Sequence, residues 1–175
     1  MVYTRRQSRG YVFENKIVES FTGGGWQCRR LGGSSANNPD EIATYNEKGI
    51  LLIFEAKSTV GQYCYIPVDQ IERFNEIKSM FGYYKIKKYI FAFKFGNKKK
   101  KGITKYYYYI FTNFTKNDIN KLSSIRCDSK GMLKPIPKNK DKYEDNIESN
   151  YDYYYIMYRC DSIEELKKDI IKIKL

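Results

Sequence analysis

Asp40, Glu55 and Lys57 are the residues of this 175-residue chain whose types and spacing best suit chemistry. Asp40 follows Pro39 and opens a strand-like run, Asp40-Glu41-Ile42-Ala43-Thr44-Tyr45. After a turn at Gly49, the apolar run Ile50-Leu51-Leu52-Ile53-Phe54 leads into Glu55-Ala56-Lys57. Side chains alternate across a strand, so Glu55 and Lys57 share a face with Leu51 and Ile53 while Ala56 points away. Asp40 shares a face with Ile42 and Thr44. If the two runs pair as a hairpin, Asp40, Glu55 and Lys57 meet in one small region. Two carboxylates and an ammonium at the end of greasy strands are costly to bury without partners. A divalent cation such as Mg2+ prefers oxygen ligands of this kind and keeps several waters. Bound water becomes acidic enough to attack a phosphodiester, with a lysine beside it to orient it or stabilise charge. The alternative reading is an exposed Asp after a proline and a surface Glu/Lys pair.

The elements that must position these groups follow from periodicity. Met1 to Arg9 reads as a short polar arm carrying Arg5, Arg6 and Arg9. Ser8 caps a helix running to about Thr22, with Phe13, Ile17, Val18 and Phe21 as its apolar face and three glycines, Gly23 to Gly25, ending it. Glu14 borders that stripe, as a paired edge residue or as a third acidic ligand. Trp26 to Arg30 is a first strand with Trp26 and Cys28 inward. It enters Leu31-Gly32-Gly33-Ser34-Ser35-Ala36-Asn37-Asn38, whose small residues let backbone N–H groups approach a phosphate or serve as a plain connector. Gln62 to Ile66 is a short strand, and Pro67 suits the start of a helix to about Phe81 with a stripe of Val68, Ile71, Phe74, Ile77 and Phe81. Gln70, near that start, faces either the site or solvent. Lys88 to Phe95 is a near-continuous apolar strand, as in a sheet covered on both faces. Asn97 to Gly102 is a basic hairpin tip, and Lys105 to Thr112 returns as a strand whose tyrosines, Tyr106 to Tyr109, pack rather than stack on bases. Residues 117–151 are polar and read as a loop or insertion. Tyr153 to Tyr158 forms a last strand, followed by an Asp161/Glu164 capping box and a closing helix through Ile163, Leu166, Ile170 and Ile173.

Composition narrows the chemistry. Thirty-two Lys and Arg against 20 Asp and Glu give a net charge of +12, which calls for a polyanionic partner. The absence of histidine excludes Ser-His-Asp and Cys-His catalysis and every His-ligated zinc site. Cys28, Cys64, Cys127 and Cys160 are too far apart for a metal knuckle and read as reduced packing residues. With neither a membrane-length apolar run nor a signal-peptide core, an intracellular, cytoplasmic and nucleoid-associated protein is expected, away from membranes.

With helix, strand, hairpin and helix in this order, the sequence resembles the archaeal Holliday-junction resolvases of the PD-(D/E)XK nuclease superfamily over roughly Arg5 to Phe95. The resemblance is carried by the basic arm, Glu14, and Trp26-Gln27-Cys28-Arg29-Arg30 entering Gly33-Ser34. It continues with Pro39-Asp40, Glu55-Ala56-Lys57, Val68-Asp69-Gln70-Ile71, the helix end Met80-Phe81-Gly82 and the strand end Lys94-Phe95. It implies that Asp40 and Glu55 bind Mg2+ with help from the Ala56 carbonyl, Mn2+ being able to substitute. By the same resemblance Lys57 sits by the attacking water, Glu14 joins the metal site, and Ser34 or Ser35 touches the scissile phosphate. Arg29, Arg30 and the N-terminal arginines Arg5, Arg6 and Arg9 would hold DNA. The family acts as a symmetric homodimer, one active site per cleaved strand, which suits a two-fold four-way junction. The apolar surface for that contact is expected on the exposed side of the sheet after Lys88 or on the C-terminal helix.

The expectation is therefore a single α/β nuclease domain over 1–175, with a restriction-endonuclease-like core at about 5–112 and a mixed, mostly antiparallel central sheet flanked by helices. The polar loop or insertion at 117–151 and a strand and helix at 152–175 would complete it. Its expected activity is metal-dependent resolution of four-way DNA junctions by paired phosphodiester cleavage. Two other activities fit the same residues: another PD-(D/E)XK endonuclease cutting duplex or flap DNA, and a non-catalytic basic DNA-binding protein.

Overall fold

The computed structural model describes residues 5–31, 38–96, 104–111, 120–138 and 156–172. In chain order the elements are α1 (Arg5–Ser20), β1 (Trp26–Arg30), β2 (Glu41–Tyr45), β3 (Ile50–Thr59), β4 (Tyr63–Pro67), α2 (Val68–Met80) and β5 (Ile86–Gly96). They continue with β6 (Thr104–Phe111), β7 (Leu122–Asp128), β8 (Leu133–Pro137), β9 (Ile156–Cys160) and α3 (Ile163–Lys172).

Six strands form a central sheet in the order β1-β2-β3-β5-β6-β9, and three form a smaller sheet, β4-β7-β8. Only the β3–β5 pair is parallel within the central sheet; its other neighbours are antiparallel. The sheet is thus mixed and mostly antiparallel, as the sequence predicts. The β2–β3 hairpin turns through a 3-10 segment, Asn46–Lys48, and Gly49 closes it at φ 60°, a left-handed conformation that suits a residue without a Cβ.

The alternation along β3 decides which layer each side chain joins. Leu52, Phe54 and Ala56 face α1 and α3, where Phe13, Ile17, Phe21, Leu166 and Ile170 cover them. Leu51 and Ile53 face the other way, in a layer with Ile66, Phe74, Ile125 and Cys127 from β4, α2 and β7. Each fully buried side chain of this size contributes about 1.5–3 kcal/mol relative to exposure. β5 is buried on both faces from Tyr89 to Phe93, as its unbroken apolar run predicts. Tyr107, Tyr108 and Tyr109 of β6 are likewise core residues. All four cysteines are buried and none is in a disulfide, in keeping with their reading as packing residues.

The structure revises several sequence expectations. Arg5 already lies in α1, so Arg5, Arg6 and Arg9 belong to its first turns, and Ser8 lies inside the helix rather than capping it. The Arg9 Nε is buried without a hydrogen-bond partner, which no solvated arm would allow. The last helix is capped one residue later than expected: Glu165 N–H donates to the Ser162 hydroxyl, and the Glu165 carboxylate accepts from Asp161 N–H at 2.9 Å. The polar 117–151 stretch contains β7 and β8, because Ile125, Cys127 and Leu133 supply enough inward apolar groups to cover the central sheet. With that cover the sheet after Lys88 is not an exposed apolar surface, whereas Ile171 of α3 is exposed. The basic tip at 97–102, Ile173 and residues 153–155 lie outside the described residues.

Candidate active site

Pro39 is buried and biases the residues around it toward extended backbone, so Asp40 enters β2 from a fixed direction. Its backbone is tied on both sides: Asp40 N–H donates to the Phe54 carbonyl at 3.1 Å, and Leu31 N–H donates to the Asp40 carbonyl at 2.9 Å. The regular β2–β3 ladder ends at Glu41 opposite Phe54. Beyond it, Ala56 N–H donates to Asp40 Oδ2 at 2.8 Å, so the side chain takes over where the strand stops. Continuing that register sets Asp40 opposite Glu55, on the face shared by Ile42 and Ile53.

Glu55 is 2% exposed, and its carboxylate accepts a hydrogen bond from the Lys57 ammonium. Burial is the largest influence on Glu55 and the Asp40 carboxyl beside it adds to it; against the opposing pull of Lys57 they raise its pKa to about 7. Burial alone would lower the pKa of Lys57, but Glu55, Asp40 and Glu14 outweigh it and hold the ammonium charged. The hairpin therefore assembles Asp40, Glu55 and Lys57 in one place, as alternation and pairing predict.

These groups suit a hard divalent cation. Two adjacent carboxyls, with the Asp40 charge raising the pKa of Glu55, offer oxygen ligands, and Mg2+ typically takes one or two carboxylates and keeps its waters. Among the described residues no three carboxyl or thiol groups stand close enough to cage a cation by themselves. Asp40 and Glu55, with the backbone carbonyl of Ala56 between Glu55 and Lys57, are thus the groups able to hold one.

Glu14 is ion-paired, and its charge also reaches Lys57. Its carboxylate pairs with Arg30 Nε, linking α1 to the end of β1, while the Arg30 guanidinium lies 4.7 Å from the centre of the Tyr11 ring. Arg30 is held at the rim by two neighbours, and Arg29 beside it is exposed. Gln70 is not a surface glutamine: its Oε1 is buried without a partner. Ser34 and Ser35 lie outside the described residues, as do the side chains of Arg5 and Arg6.

Sequence reasoning missed Glu41. It is fully buried, neither carboxylate oxygen has a hydrogen-bond partner, and it lies across from Arg30 in the β1–β2 register. Burial, then the charges of Asp40, Glu14 and Glu55, push its pKa well above the ordinary carboxylate range, with only Arg30 opposing. The signal was present in the alternation: a residue between Asp40 and Ile42 on an inward-facing strand must join Ala43 on the α1 side.

Two carboxyls and a lysine thus meet within a mixed sheet of the α/β class, where the β2–β3 ladder stops and beside an arginine-bearing rim. The chain belongs to the archaeal Holliday junction resolvase (Hjc) family, whose model matches residues 5–118. The structure is also similar to the 1.6 Å structure of Archaeoglobus fulgidus Hjc, described as a Holliday junction resolvase from an archaeal hyperthermophile. That likeness has 17% sequence identity and a TM-score of 0.45 and covers 69% of this chain and 89% of the other. No curated protein matches this chain. No described helix is long and apolar enough to cross a membrane.

Proposed function

We propose that this chain is a divalent-metal-dependent endonuclease that resolves four-way DNA junctions by paired incisions as a homodimer. The observation that carries the reading is the meeting of Asp40, Glu55 and Lys57 where the β2–β3 ladder stops, in a chain of the Hjc family. Asp40 and Glu55 would hold Mg2+, or Mn2+ in its place, together with the Ala56 carbonyl. Mg2+ held by these groups would supply an acidified water and positive charge toward the phosphodiester. Asp40 is oriented by the Ala56 N–H, so its free oxygen projects from a fixed backbone. Lys57 keeps its proton beside the two carboxyls and offers positive charge to the attacked phosphate. Arg30, steadied by Glu14 and Tyr11, meets the DNA backbone at the rim. In this reading Glu14 acts through Arg30.

A gel assay on a four-way junction, a flap and a matched duplex, each with and without Mg2+, tests the activity. Junction cleavage that requires Mg2+ and exceeds duplex cleavage is expected. Equal cutting of duplex or flap would assign the chain to another branch of the nuclease class, and no cutting of any substrate would leave a DNA-binding protein.

Paired incision needs two sites in fixed relation, which a symmetric dimer supplies. Sedimentation at low micromolar concentration should give the dimer mass. Heterodimers of wild type and Asp40→Asn should nick one junction strand only. A monomer that still makes paired cuts would refute the dimer.

A further inference from the structure

We infer that the outward face of the β4-β7-β8 sheet is a second DNA-contact surface, one that takes an unpaired stretch of strand. The inference deepens the nuclease reading above and rests on it. Cys64 and Ile66 of β4 point into the core, so alternation turns Tyr63 and Tyr65 outward, where they are 44% and 48% exposed. This is the reverse of the buried tyrosines of β6. Tyr65 lies opposite Arg126 on β7, and Arg126 lies opposite Lys134 on β8, so one row crosses all three strands. The Arg126 guanidinium is also 4.6 Å from the centre of the Tyr63 ring.

Two aromatic rings set among cations match a strand whose bases are free. Bases stack on aromatic faces regardless of sequence, while Arg and Lys follow the phosphates. A duplex arm keeps its base faces hidden and would use the cations alone. The charge favours a polyanion: residues 121–138 carry Lys121, Arg126, Lys130, Lys134 and Lys138 against Asp128 alone. The Asp128 carboxylate is engaged by the N–H groups of Lys130 and Met132 at 2.8 and 2.9 Å, where it shapes the β7–β8 turn. A second copy of a chain of net charge +12, seated here, would bring like charges together. Nor does the edge invite strand addition, because Pro135 and Pro137 deny β8 two backbone donors. The sheet stands on the face of the central sheet from which Asp40 and Glu55 project, and β4 follows directly after the strand that bears Lys57. β7 and β8 lie beyond the residues that match the family.

Binding of the full chain to labelled oligothymidylate and to a matched duplex, both in EDTA, tests the surface. The Tyr63→Ala/Tyr65→Ala protein should bind oligothymidylate at least about tenfold more weakly, with duplex affinity unchanged, since each stacked base contributes substantially. The Tyr63→Phe/Tyr65→Phe protein should bind like wild type, because the rings remain. Arg126→Ala should reduce the logarithmic salt slope for oligothymidylate by about 0.7. If the double alanine variant melts early, Tyr65→Ala alone carries the same comparison. Unchanged oligothymidylate affinity, or an equal loss on duplex, would overturn the inference, as would a shift in sedimenting mass that marks the face as a contact between copies. Absence of cleavage with tyrosine-dependent oligothymidylate binding would count against the nuclease reading and leave this surface standing.

Discussion

The Asp40→Asn protein is expected to bind a four-way junction as tightly as wild type and to cleave it roughly a thousandfold more slowly, and Glu55→Gln to behave alike. Metal-ion catalysis supplies several kcal/mol of transition-state stabilisation, and each 1.36 kcal/mol is tenfold in rate. Neither substitution removes the scaffold. An asparagine oxygen can still accept the Ala56 N–H that now reaches Asp40 Oδ2 at 2.8 Å, so the end of β2 keeps its place. Glutamine at position 55 keeps an acceptor for Lys57 while discarding a carboxylate that burial disfavours. Junction affinity rests on the basic surface and not on these two carboxyls. Gel shifts in EDTA beside cleavage time courses in Mg2+ separate the two properties. Cleavage within a few-fold of wild type in either protein would remove these carboxyls from the reaction.

The Glu41→Leu protein should be more stable than wild type by about 1–3 kcal/mol at neutral pH, the usual cost of a buried polar group left unpaired. Leucine is of similar size and would join Phe54 and Ala43 on the α1 side of the sheet. The effect should depend on pH. Glu41 and Glu55 both hold their protons more firmly folded than unfolded, so the folded state binds more protons above the ordinary carboxylate range. Stability then falls as pH rises from about 4.5 through the Glu55 pKa of about 7, and the Glu41 contribution is lost as pH climbs further toward its own raised value. Metal-free wild type should therefore melt at higher temperature at pH 5 than at pH 7.5, and Glu41→Leu should flatten that slope. Thermal melts across this range measure both. A variant less stable than wild type, with an unchanged pH profile, would show that Glu41 has a partner after all.

What was legible in the chain follows from the range of the signals. The β2–β3 hairpin is local, and its two-residue period and Pro-Asp start set Asp40, Glu55 and Lys57 together without reference to the rest. The apolar run of β5 announces burial on both faces for the same reason. β7 and β8 were hidden because their apolar residues are few, are separated by exposed polar ones, and meet across a register shift between Leu122 and Ser124. Their strand character comes from β4 and from the central sheet beneath them, a partner no local window contains. The start of α1 was misplaced because Ser8 is a good cap by type, whereas Arg5, Arg6 and Gln7 propagate a helix readily. Glu41 escaped notice because the same alternation that placed Asp40 was not applied to its neighbour.

The smaller sheet has a consequence for the newly made chain. β4 is synthesised early, yet its partner β7 comes only after α2, β5 and β6, so Cys64 waits for Cys127. During that interval β4 has an open edge, and Ile66 and the underside of β5 and β6 lack the cover that β7 later supplies. Closing so long a loop is slow, and unpaired edges over bare apolar surface are where growing chains adhere to one another. The hairpin thus closes the β4 side of the core, while the other side still waits for β9 and the last helix with Cys160, Leu166 and Ile170.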